Sequence, residues 1–278
     1  MSDAFYRSIA VASTFSPRFL RVISEAKRVR DRFDSRLSLI YVGERDAETA
    51  RKFSEALTQL ELPADSPVHY QQGDDPAEAI LEAARANDVD LIIAGALEKE
   101  VILRPFLGDV ARRLVRDAAC SVMLFTKPKH PPNSLRHIVL IADFSEHGQR
   151  ALRRTLHLAS RESSEKLFVI RVYTTFDAAR AALHANLEDG DEHPPARSLA
   201  EEEEALEKFI LAAGHTDVPI EARCVRGNTG YAASDFVQAV EADLLAVTLP
   251  PGQRQAAALP AHIAWVTDVI PCNLWVIR

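Results

Sequence analysis

The chain repeats itself, and this constrains its fold more than any other feature. Residues 8–16 (SIAVASTFS) match 137–145 (HIVLIADFS), residues 89–94 (VDLIIA) match 242–247 (ADLLAV), and residues 119–125 (ACSVMLF) match 271–277 (PCNLWVI). The blocks keep the same order in both halves, so the 278 residues read as two copies of one supersecondary pattern. Two domains also suit this length, at about 100 to 200 residues each. The second copy is longer because it carries extra residues, among them the acidic, proline-containing stretch 186–197 (NLEDGDEHPPAR), which reads as an exposed loop. Residues 127–133 (KPKHPPN) end the first copy, and their prolines suit a short, stiff linker. The expected division is therefore 1–127, a linker over 128–133, and 134–278.

Within each copy, short apolar runs alternate with segments of helical period. Residues 9–12, 37–42, 68–71, 91–94 and 122–125 predict strands in the first half. Runs of Ile, Leu and Val without polar alternation imply strands covered on both faces, as in a parallel sheet. Residues 17–32 place Phe19, Leu20, Ile23, Ala26 and Val29 at helical spacing, with Ser16 as the expected N-cap and Pro17 at the first helical position. Residues 76–86 and 110–116 predict two more helices. In the second half, helices are expected over 148–161, 198–213, 231–241 and 261–269. The fold class is α/β: two tandem doubly wound domains, each with a five-stranded parallel sheet and a ligand crevice outside the carboxyl ends of its strands. Leu140, Val169, Leu245 and Val276 are expected in the core of the second.

Composition excludes more than it assigns. Lys and Arg number 33 against 40 Asp and Glu, a net charge of −7, which offers no overall attraction for nucleic acid or anionic lipid. Cys120, Cys224 and Cys272 are widely spaced, and an odd count suits a reducing compartment. The first residues do not resemble a signal peptide, and no apolar run approaches about 18 residues. The expectation is a cytoplasmic protein with neither membrane nor nucleic acid as partner. The nine histidines form no H-E-x-x-H or other zinc spacing, and no G-x-S-x-G elbow or Walker loop occurs. No metal site and no catalytic residue is therefore expected.

The segments Asp143-Phe-Ser-Glu-His147, Val89-Asp-Leu-Ile-Ile-Ala-Gly95, and Cys120 or Cys272 before each last strand together resemble the universal stress protein family in its tandem two-domain form. The resemblance implies a Rossmann-like fold of the adenine nucleotide alpha hydrolase type in each half. It also implies an intramolecular pseudo-dimer with strands 121–125 and 273–277 near the shared interface, and it leaves room for a homodimer.

Nucleotide-binding members of that family carry G-x2-G-x9-G-[ST] after the fourth strand, where backbone N–H groups cradle phosphates. Gly95 and Gly108 keep the spacing here, but Glu98 replaces the second glycine and Asp109 the hydroxyl residue. Both changes put a carboxylate where phosphate would lie, and like charges about 4 Å apart cost roughly 4 kcal/mol at an effective dielectric near 20. Asp109 also has a plain structural role open to it as a helix N-cap. In the second copy, residues 248–254 (TLPPGQR) stand in the loop's place, and prolines supply no N–H donors. The acid that the family places toward the base is kept as Asp143, whereas the first copy has Thr14. The expected function is non-enzymatic stress response through a protein partner or small ligand, without a cofactor. ATP binding is the alternative, and an enzyme using a pocket near Asp143 and His147 is a third reading.

Overall fold

The computed structural model describes residues 5–96, 99–101, 104–173, 197–227, 230–249, 265–267 and 271–278. The chain divides into two compact units. The first comprises Met1–Ser134 with Leu249–Ala257 and Cys272–Arg278, and the second Leu135–Thr248 with Ala258–Pro271.

In the first unit, strands β1 (Ser8–Ser13), β2 (Arg36–Val42), β3 (Val68–Gln71), β4 (Leu91–Gly95) and β7 (Ser121–Phe125) are parallel and ordered β3-β2-β1-β4-β7. Central strands are sealed on both faces: Ile9, Val11, Leu39, Ile92 and Leu124 have no exposed surface. Each such side chain contributes about 1.5 to 3 kcal/mol of burial. Helices α1 (Phe19–Phe33), α2 (Ala47–Gln59), α3 (Pro76–Ala86) and α4 (Asp109–Asp117) connect the strands. Between β4 and α4 lies a two-stranded antiparallel sheet, β5 (Lys99–Val101) with β6 (Arg104–Phe106).

The main sheet of this unit takes its sixth strand from the far end of the sequence. Strand β12 (Asn273–Ile277) runs antiparallel to β7, with Trp275 opposite Met123. Trp275 is fully buried against Tyr6 and Phe33. The Tyr6 hydroxyl donates to Ser121 Oγ at 2.9 Å, and Ser121 Oγ accepts from the Arg278 N–H at 3.0 Å. The Arg278 guanidinium donates to the carbonyls of Val115 and Arg116 at the end of α4, at 2.7 and 3.2 Å, which satisfies acceptors that a helix terminus leaves open. The sequence-based boundary at 134 thus places β12 in the second copy, whereas compactness assigns it to the first unit.

The second unit carries β8 (His137–Ile141), β9 (Lys166–Tyr173), β10 (Ile220–Arg226) and β11 (Leu244–Thr248), parallel in the order β11-β8-β9-β10. Among its described residues the helices are α5 (Glu146–Glu162), α6 (Leu199–Leu211) and α7 (Gly230–Ala239). Leu140, Val169 and Leu245 are buried in it as the sequence predicts, and Val276 is buried in the first unit.

Three local expectations are corrected. Helix α1 begins at Phe19 rather than at residue 17, because Ser16 starts a tight turn. Its Oγ accepts from the Arg18 N–H and its carbonyl from the Phe19 N–H. Helix α2 and the β5–β6 pair were not expected at all. Of the helix expected over 261–269, the described part is a single 3-10 turn, Trp265–Thr267, and the rest lies outside the described residues. The loop 186–197 lies outside them too, except for Arg197.

Candidate functional site

In a doubly wound fold, ligands meet the carboxyl ends of the strands. In the first unit that rim is covered by the protein's own rings. Ser13 at the end of β1 pairs with Tyr41 on β2, and Tyr41 with Tyr70 on β3, so both tyrosines stand side by side. Phe15, just past β1, lies 5.0 Å from the rings of Tyr41 and Phe53 and 4.9 Å from that of Phe19. Phe53 on α2 is almost fully buried and also meets Phe19, Tyr41 and Tyr70. Such ring pairs contribute about 0.5 to 1.5 kcal/mol each beyond their burial. Gly43 makes room, since a Cβ there would press on the Tyr41 ring. Cations close the cluster: Lys52 lies over Phe15 at 5.0 Å and Arg45 over Tyr70 at 5.6 Å. The groove left beside Phe15 and Phe19 is an open depression of about 300 Å³.

The glycine loop of the same unit is partly visible. Gly95 ends β4, and Gly108 precedes α4 in an extended conformation. Asp109 is not the N-cap that the sequence suggests. Gly108 occupies that position, while Asp109 is already the first helical residue, exposed and without a capping hydrogen bond. Glu98 lies outside the described residues. Between the two glycines, the β5–β6 pair turns part of the loop's backbone onto itself. Arg18, which sequence reasoning passed over, donates to the carbonyls of Ala96 and Thr126 at 3.4 and 3.5 Å. Thr14 is exposed.

In the second unit, Asp143 follows β8 and folds back on its own turn. Its Oδ1 accepts from the Ser145 N–H at 2.9 Å and from Ser145 Oγ at 2.8 Å. Ser145 in turn caps α5 by accepting from the Gly148 N–H. A Cβ at Gly148 would collide with Asp143 Oδ1, so only glycine allows this approach. Between Asp143 and Ser145, Phe144 is held in the left-handed region at φ 58°. Its ring lies 5.5 Å from Phe209 and carries two guanidiniums, Arg171 at 4.9 Å and Arg197 at 5.6 Å. Arg171 donates to Glu202 Oε2 at 3.0 Å, and Arg197 approaches Glu202 Oε1 at 4.0 Å. Neither arginine was singled out from the sequence. The signal for Arg171 was its alignment with Tyr41, one residue before a matching valine in each second strand.

His147 is buried on α5 beside Arg150, its Nδ1 3.1 Å from that guanidinium. His262 lies outside the described residues. Burial pushes the Cys120 thiol up to about 11, and burial with Glu203 and Glu202 does the same for Cys224, so neither is primed as a nucleophile. Among the described residues no group of His, Cys, Asp or Glu is arranged to hold a metal, and no helix is long and apolar enough to cross a membrane.

Comparison with known proteins agrees with this architecture. The chain matches a universal stress protein of Methanocaldococcus jannaschii at 41% identity over 54 residues, 19% of this chain and 32% of that protein, so it spans about a third of that relative's length. A universal stress protein from Archaeoglobus fulgidus superposes over 100% of this chain and 99% of its own, with a TM-score of 0.67 at 16% identity. A functionally unknown protein from Pseudomonas aeruginosa PAO1 covers 99% of this chain and 94% of its own, with a TM-score of 0.70 at 20% identity. These likenesses show the fold. The model of the Universal stress protein family matches residues 5–126 and again 134–278, so the chain, in both of its repeats, belongs to that family.

Proposed function

We propose that this protein is a cytoplasmic, non-enzymatic stress-response protein that works by binding a protein partner or a small ligand, with its nucleotide loops degenerate and no cofactor. The observation that carries the reading is the rim of the first unit. The rings of Phe15, Phe19, Tyr41, Phe53 and Tyr70 cover the carboxyl ends of β1 to β3, where doubly wound folds take their ligands. Glu98 and Asp109 add carboxylates to the loop that would receive phosphate. In the second unit, Asp143 spends its Oδ1 on Ser145. The last strands of the two copies, β7 and β12, pair within the first unit.

One observation favours ATP binding instead. With Gly108 as N-cap, α4 has no side chain satisfying its first N–H groups, and such groups attract anions. Calorimetry with magnesium ATP separates the two readings. The wild type is expected to bind no tighter than millimolar, and Glu98→Gly with Asp109→Ser is expected to gain affinity. Micromolar binding by the wild type would sink the non-nucleotide reading.

A further inference from the structure

We propose that the second unit binds a small oxyanion, the carboxylate or phosphate group of a small molecule, on the guanidiniums of Arg171 and Arg197 beside Phe144. The inference deepens the reading of the chain as a binding protein by naming a ligand class and a place.

Position is the first argument. Arg171 lies near the carboxyl end of β9, and Phe144 follows β8, so the pair stands at the strand ends where α/β folds take ligands. Charge is the second. Two guanidiniums, which do not lose their protons in proteins, meet at the carboxylate of Glu202, and Arg197 also lies near enough to Glu201 to help lower that carboxyl. The Glu202 side chain is 9% exposed, whereas those of Arg171 and Arg197 are 32% and 49% exposed. The carboxylate is thus sealed in, while both cations keep surface open to an incoming anion. Glu203, exposed on the same helix, lies close enough to Cys224 to raise its thiol.

Preorganisation is the third argument. The Phe144 ring sits within 6 Å of both guanidiniums, Arg171 also reaches the Ala142 carbonyl at 3.5 Å, and the Tyr173 hydroxyl donates to the Arg197 carbonyl at 3.2 Å. Arginines already stacked and tethered lose little freedom on gripping an anion, and their planar fork matches a carboxylate or phosphate edge. Phe144 keeps its place at the expense of a left-handed backbone, a strain that positions the ring under both cations. The first unit has no equivalent, because Tyr41 stands where Arg171 does.

The test is an NMR titration of the intact chain, following arginine Nε–H signals, with inorganic phosphate and separately with succinate. Saturable shifts at Arg171 and Arg197 are expected at about millimolar concentration or below. A response to phosphate alone assigns a phosphoryl ligand, to succinate alone a carboxylate, and to both a general oxyanion site. Arg197→Ala, a half-exposed change, should weaken binding by about fivefold or more. Glu202→Gln removes the internal competitor and should tighten binding by about tenfold, whereas loss of a purely structural ion pair would not. No saturable shift with either anion overturns the proposal, as does binding indifferent to both variants. ATP affinity is read independently in the calorimetry above, so the two readings can fail separately.

Discussion

The same fold carries two different rims. In the first unit, five aromatic rings close over the strand ends, with Phe53 touching four of them. In the second, one ring, Phe144, holds two arginines over a sealed glutamate. Phe15 and Phe144 occupy matching places after the first strand, and each carries a cation on its ring. The change of Tyr41 to Arg171 one strand away turns an apolar plug into a charged surface. A duplicated scaffold thus keeps its sheet while its rims diverge, because the sheet depends on buried aliphatic runs and the rim on a handful of side chains.

The widest separation between the rims should appear in stability. Phe53→Ala is expected to cost about 3 to 5 kcal/mol, since it empties the centre of a ring cluster. Phe209→Ala, whose ring meets Phe144, should cost less. Urea denaturation of both variants measures the difference, and an equal or larger loss at Phe209 would show that the two rims are energetically alike.

A smaller effect is expected from charge. Glu202→Ala leaves Arg171 and Arg197 without their shared carboxylate, and should cost about 1 to 3 kcal/mol, discounted because Arg171 is about a third exposed. Addition of salt should shrink this loss and leave the Phe53 loss unchanged. A salt-independent loss at Glu202 would mean that it acts by packing.

The smallest effect is a pH dependence at the first unit's helix ends. Asp75 caps α3 and pairs with Arg113 of α4, and that guanidinium, with the Glu78 and Ala77 N–H groups, holds its carboxyl below the ordinary 3.8. A carboxyl lowered on folding stabilises fully above its unfolded value and loses that contribution as pH falls through the folded one. The difference in denaturation midpoint between Asp75→Asn and the wild type should therefore be constant near neutrality, begin to shrink as pH falls past the ordinary 3.8, and vanish only once pH is below the lowered folded value. A difference that persists at lower pH would assign the effect to packing instead of the Asp75 charge.

Much of the scaffold was legible in the chain. Buried runs such as Leu91–Gly95 carry their own signature, since parallel strands are covered on both faces. Helix α2 was missed because four of its thirteen residues, Thr49, Phe53, Ala56 and Leu57, are buried, which leaves a weak apolar stripe. Its start was nonetheless written in the Asp46 and Thr49 capping box. The β5–β6 pair shows no pattern because backbone pairing over three residues leaves no period to read. Asp109 was misassigned because capping is decided by one residue's φ and ψ, and Gly108 adopts the extended geometry first.

By itself, then, the sequence determined two repeated α/β units, their main parallel strands, and a glycine-spaced loop that carries Glu98 and Asp109. Those properties are local: a run of aliphatic residues or a glycine spacing keeps its meaning wherever the segment ends up. Tertiary structure alone decided that β12 completes the first unit, that Phe15, Tyr41, Phe53 and Tyr70 converge on one rim, and that Arg171 and Arg197 share Glu202. Each of these joins residues far apart along the chain, and their meeting depends on how strands order and helices pack, which no window of sequence contains.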